Sequence, residues 1–403
     1  DGDALQRASA TNLGETLKDQ LGVSSSSFGP GVGVPVIRGL SGNRLAILQN
    51  SSPLADASAT SPDHAIAQEP LLADRIEILR GPATLRFGPG AIGGVVNIID
   101  NRIHLESFSG AEGALETRHD SNNDGNVVVG RLDAGTGLYS AHVSAMTRDA
   151  NPTEIPGAAA LNADDPAETT HGTIANSEME ADAFSLGVSR TTDNLAAGFG
   201  VSHVKNDYGI PPGAHHHEEE ENHLPDPGAA ETEAAEEVVR IAMEQTEFSG
   251  KLVLPQLPGP FSSLFRSLFL DASHTDYEHT EFEITGELRQ PGTAYETDTD
   301  YARLELTFGS EGDWQGYTGA QIRSTSFLAI GDEAFIPENE TALSGVFATV
   351  ERPIGDSTLE FGARLDRQTA DPVDGDNLSH NLLNASASYL YPLDTANSIG
   401  VVY

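Results

Sequence analysis

The 403 residues include no cysteine, and cationic side chains are scarce: 22 Lys plus Arg face 61 Asp plus Glu, a formal net charge of −39. Without thiols there is no disulfide, no thiolate zinc finger and no cysteine nucleophile, so a metal site has to be built from imidazole and carboxylate. A field this negative repels phosphate backbones and anionic membrane surfaces. It argues against nucleic acid as a partner and favours cations. Long apolar runs are missing too: with no stretch of about 18 apolar residues, no transmembrane helix is expected. No secretory signal opens the chain, so Asp1 is expected to be a mature or trimmed N-terminus. Hydrophobic residues make up only 38%, little for two or three soluble domains with large cores. Glycine is plentiful at 41 residues, against a usual share of about 7%.

Two textures divide what is present. Residues 1–103 read as a compact mixed α/β unit. Leu13, Leu17 and Leu21 recur at helical spacing, and a Ser/Gly stretch precedes Val34-Pro35-Val36-Ile37-Arg38-Gly39. Strands are expected at 44–49, 75–79 and 95–99, a polar loop at 50–64 and a helix at 65–73. From 104 to 403 the texture becomes alternation with period two. Tyr139, Ala141, Val143 and Ala145 oppose Ser140, His142 and Ser144, while Leu304, Leu306 and Phe308 oppose Arg303, Glu305 and Thr307.

About 13 such strands are expected, near 113, 125, 138, 180, 195, 238, 264, 297, 313, 340, 356, 380 and 396. A soluble sandwich also alternates, but its inner faces carry dense large aliphatics. Here the apolar positions are often Ala, Val or Tyr, and short turns alternate with long acidic loops. That is the pattern of an outer-membrane barrel.

The run from Arg75 through Arg80-Gly81-Pro82 and Gly88-Pro89-Gly90 to Gly93-Gly94 and Ile99 resembles the plug-domain signature of TonB-dependent outer-membrane receptors. Val36-Ile37-Arg38-Gly39 and Leu13-Gly14-Glu15-Thr16-Leu17 agree with that family. The rival reading of Gly88 to Gly94, a phosphate-binding loop, lacks the G-K-[ST] or distal acidic residue it needs. The resemblance implies an all-β transmembrane barrel, 22-stranded in the family, with an N-terminal α/β plug (1–103) in its lumen and the first part of the barrel at 104–403. It further implies about nine strands beyond Tyr403, a coupling box before Asp1 for the inner-membrane TonB energy complex, and the outer membrane of a Gram-negative bacterium as the location. No enzyme chemistry is expected, because no Ser/His/Asp set or paired-carboxylate geometry can be argued from the chain.

Two places offer metal ligands. His215, His216, His217, Glu218, Glu219, Glu220, Glu221 and His223 lie in one loop. They read as a loose collector of divalent ions or, alternatively, as a solvated acidic loop or a tag remnant. Ser61-Pro62-Asp63-His64-Ala65 offers an Asp-His pair, for which capping of the expected 65–73 helix by Asp63 is the competing explanation.

Both places are similar to the zinc-uptake (ZnuD-like) subgroup of the family. That likeness implies zinc as the transported ligand, a plug site of Asp63 and His64 completed by Glu333 of the wall, and a further His beyond Tyr403. Other divalent metals fit the same donors. A ferric siderophore, haem or cobalamin receptor is the alternative within the fold, and an acidic surface adhesin or halophilic domain the alternative outside it. Among the remaining histidines, His274 and His279 with Asp276, Glu278, Glu281 and Glu283 read as a solvated strand end. His142 and His203 read as ordinary strand residues, His142 on the lumen side.

Overall fold

The computed structural model describes residues 1–59, 61–159, 170–212, 237–286, 288–310, 312–331, 334, 336–393 and 398–402. The N-terminal unit opens with helices α1 (Gly2–Ala8) and α2 (Leu13–Leu17), followed by the hairpin β1 (Val23–Ser27) and β2 (Gly33–Ile37). Asn12 caps α2, its Oδ1 accepting from the Glu15 amide at 2.9 Å. A four-stranded sheet comes next: β3 (Leu45–Gln49), β4 (Ser52–Pro53), β5 (Arg75–Leu79) and β6 (Gly94–Ile99) in the order β4-β3-β6-β5. β3 runs parallel to β6, and β5 runs antiparallel to it. Gly94 opens β6 with φ +145°, a conformation that admits little but glycine. Leu13, Leu17, Val34, Ile37, Val96 and Ile98 form the core of this unit.

Two expectations need correction here. Leu21 does not continue the helical face: α2 stops at Leu17, the Gln20 amide turns back onto the Leu17 carbonyl, Gly22 takes φ +72°, and Leu21 is 89% exposed. No helix forms over 65–73 either. The Ala65 and Ala67 amides are committed to the Tyr208 hydroxyl (2.8 Å) and the Asp56 carboxylate (2.9 Å). Pro70 has no amide to offer, and only a 3-10 turn, Pro70–Leu72, remains. With that helix gone, so is the capping explanation for Asp63.

The rest of the chain is a 13-stranded antiparallel sheet. Its strands are β7 (Ser109–Asp120), β8 (Gly125–Thr136), β9 (Tyr139–Ala150), β12 (Met179–Thr192), β13 (Leu195–Ile210), β14 (Glu237–Leu254) and β15 (Ser267–Thr285). They continue through β16 (Leu288–Gly309), β17 (Gln315–Ile330), β18 (Asn339–Ile354), β19 (Ser357–Pro372), β20 (Leu378–Pro392) and β21 (Ser398–Val402). A separate hairpin, β10 (Glu154–Ala158) with β11 (His171–Thr173), lies between β9 and β12. The expected strand positions match those of the sheet. Two-residue turns such as 137–138, 193–194 and 355–356 join strands at one end, and connections such as 151–178 and 211–236 join them at the other.

The alternation is inside-out. Ser140, His142 and Ser144 are buried, whereas Val143, Phe184, Val188, Phe199, Ile322 and Val346 are exposed. Apolar residues outside and polar residues inside reverse the order of a soluble sandwich and suit a barrel wall in lipid. Among the described residues no helix is long and apolar enough to cross a membrane. The plug seats against the polar inner face, where Val32, Ala65 and Ala67 pack among Met146, Met179, Tyr208, Ile241, Met243 and Tyr277 of the wall.

Candidate metal centre between plug and wall

Strand periodicity places Tyr277, His279 and Glu281 of β15 on the inner face, one above the other. Opposite them the plug presents Asp63 and His64 on a short irregular segment, tied down where the Ala65 amide donates to Tyr208. His64 is 3% exposed. Its Nδ1 lies 3.1 Å from Asp63 Oδ1, and its Nε2 lies 2.8 Å from Glu281 Oε1. Burial pulls this imidazole toward the neutral form, but the hydrogen bonds to Asp63 and Glu281 outweigh it and raise its pKa to about 9.

His279 is 1% exposed. The Tyr277 hydroxyl lies 2.9 Å from its Nδ1, and the Tyr295 ring stacks on it at 4.4 Å between centroids. Its Nε2 is buried with no hydrogen-bond partner and sits 3.8 Å from Glu281 Oε1. One ligand atom each from His64, His279 and Glu281 falls within 4.8 Å of the others. Two imidazoles and a carboxylate with room for a fourth ligand make a set that suits Zn²⁺. The Asp63 and Tyr277 contacts behind the two rings are of the kind that fix ring orientation around a metal. A cavity of ≈480 Å³ adjoins the cluster, with Asp56, Tyr295, Thr299, Arg323 and Thr325 in its lining.

The residues singled out in the sequence are distributed as follows. His64 is in the cluster, and Asp63 stands behind it, accepting as well from the Ser61 hydroxyl. Glu333 and the loop residues His215, His216, His217, Glu218, Glu219, Glu220, Glu221 and His223 lie outside the described residues. His279 and Glu281 were missed: they are not a solvated strand end but buried wall residues. They share a strand phase with Tyr277, whose burial against the plug segment shows that this phase faces inward. His274, on the opposite phase, faces outward between Asp300 (2.9 Å) and Asp276 (3.0 Å). His203 stacks on Phe184 toward the outer face.

The glycine-rich signature serves packing within the plug. Gly81-Pro82 begins a 3-10 turn to Arg86, Arg80 donates to the Leu21 carbonyl at 2.7 Å, and the Gly93 amide donates to the Arg44 carbonyl at 2.8 Å. Gly88 takes φ +139° ahead of β6, which Gly94 opens.

A small α/β domain seated inside an antiparallel wall, apolar outside and polar within, is the plug-and-barrel fold of TonB-dependent receptors. Residues 1–95 match the family model of the TonB-dependent receptor plug domain. The vitamin B12 transporter BtuB of Photobacterium profundum is 32% identical over 135 residues, 33% of this chain and 20% of that protein. Among solved structures, the copper transporter OprC superposes with a TM-score of 0.75 at 17% identity, over 98% of this chain and 60% of that one. The FrpB iron transporter from Neisseria meningitidis (F3-3 variant) gives 0.73 at 15% identity, over 99% and 62%. The chain thus spans 20% of the length of that vitamin B12 transporter and about 60% of these structures.

Proposed function

We propose that this chain is the plug and part of the barrel of an outer-membrane transporter of the TonB-dependent type, and that its cargo is a divalent metal ion, zinc foremost. The observation that supports this most directly is the buried plug-to-wall cluster of His64, His279 and Glu281, with His279 Nε2 making no hydrogen bond and 3.8 Å from Glu281 Oε1. Imidazole and carboxylate donors favour Zn²⁺ over Cu(I), which prefers sulfur ligands. On this reading the long-loop end faces outward, acidic loops concentrate the cation, and the loop histidines pass it to the plug. Release requires plug movement driven by the TonB complex of the inner membrane. The plug supplies one ligand and the wall two, so movement of the plug pulls the ligand set apart.

Calorimetric titration of the detergent-solubilised receptor with Zn²⁺ tests this. His64→Ala and His279→Ala should each abolish one tight site, and unchanged binding in both would remove it. The adjoining cavity of ≈480 Å³ is in the size range of small-molecule sites. It favours a second reading, in which the metal arrives within an organic chelate. Binding of chelated metal but not of free Zn²⁺ would select it.

A further inference from the structure

A second buried group repeats the design of the first at the other end of the wall. The tether that leaves β6 carries His104, whose Nε2 lies 2.8 Å from Asp133 Oδ1. The same oxygen lies 2.8 Å from His142 Nδ1. Asp133 and His142 are direct cross-strand partners on β8 and β9, next to the two-residue turn 137–138. Side-chain exposure is 16% for His104 and 1% for both Asp133 and His142. Arg131 Nε donates to Asp133 Oδ2 at 2.7 Å, which leaves Oδ1 turned to the imidazoles. The Phe108 ring stacks on His104 at 5.3 Å, and His142 Nε2 is buried with no hydrogen-bond partner.

We propose that His104, Asp133 and His142 form a second site for a divalent cation of the zinc type, at the short-turn end of the barrel. The three ligand atoms lie within 4.8 Å of one another, with one imidazole contributed by the plug side and an imidazole and a carboxylate by the wall. That is the division of ligands seen at His64, His279 and Glu281. An ion at this place binds the tether to the wall, and displacement of the plug opens the site as it opens the upper one.

Zinc equivalents bound by the receptor in detergent, counted by equilibrium dialysis, test the assignment. His104→Gln and His142→Gln should each lower the count by one, and the double variant should lower it by one rather than two, since both remove the same site. His64→Ala should remove a different equivalent, additively. An unchanged count in both Gln variants overturns the lower site while leaving the upper one standing. Loss in the Gln variants without loss in His64→Ala overturns the upper site instead. Should His142→Gln fail to fold, judged by heat-modifiable gel mobility, His104→Gln on the tether decides alone.

Discussion

The side chains at the upper cluster differ in which atom faces the space between the imidazoles. Asp63 contacts the far nitrogen of His64 rather than the space between the imidazoles, so its task is to hold the ring. Loss of such a supporting carboxylate typically costs about 10- to 100-fold in metal affinity. Asp63→Asn, close in shape but uncharged, should therefore weaken Zn²⁺ binding by about that factor while keeping the stoichiometry. His64→Ala should abolish the site, and the two results are separable in a single calorimetric series. Asp63 and His64 were singled out in the sequence through the likeness to the zinc-uptake subgroup, because an adjacent Asp-His pair alone also fits a helix cap. His279 and Glu281 were not, because period-two alternation says that two faces exist without saying which one meets the plug. Tyr277 supplies the answer only once its burial against the plug segment is known.

Among the elements, strands were more readable than the plug. The strand positions followed from alternation and turns, since a wall whose two faces meet different solvents writes its period into every residue. The 65–73 segment escaped because partners from distant elements, Asp56 and Tyr208, take its amides. Strand composition also hides where the plug needs room. Gly187 of β12 lies so close to the tether that a Cβ would run into the Arg102 carbonyl oxygen, whereas a Cβ at Gly130 of β8 would meet nothing nearer than Leu115 Cδ1 at 4.0 Å. Alanine inside a strand is ordinarily no worse than glycine. Gly187→Ala should nevertheless destabilise the seated plug by about 1–3 kcal/mol, the usual cost of overpacking, and Gly130→Ala should not. Limited proteolysis of the plug at rising urea measures both. Equal protection in the two variants would mean that the tether does not press on the wall at Gly187.

For the molecule as a whole, scarce cations and low hydrophobicity have one explanation. The plug is seated in a polar lumen by ion pairs to the wall, beside one apolar patch around Val32, Ala65 and Ala67. Arg148 of β9 pairs with Glu69 of the plug at 2.9 Å, Arg102 of the tether with Glu247 of β14 at 3.7 Å, and Arg86 of the plug with Glu305 of β16 through two bonds of 3.0 and 2.7 Å. Such pairs have a steep penalty for losing one partner but little net value against an apolar replacement of similar volume. On the proposed transport reading, that suits a plug that leaves its seat, because both partners regain water when they separate. Arg86→Ala strands Glu305, which is 4% exposed, and should lower the free energy of plug release by about 3–5 kcal/mol. Arg86→Met combined with Glu305→Leu removes both charges and should return release to near, or above, the parent value. Urea-driven plug release followed by proteolysis, across Arg86→Met, Glu305→Leu and the double, reads this as a cycle. If the double variant released the plug as easily as the sum of the two single effects predicts, Arg86 and Glu305 would be uncoupled, and the penalty for an unpaired Glu305 would not be what holds the plug at this point.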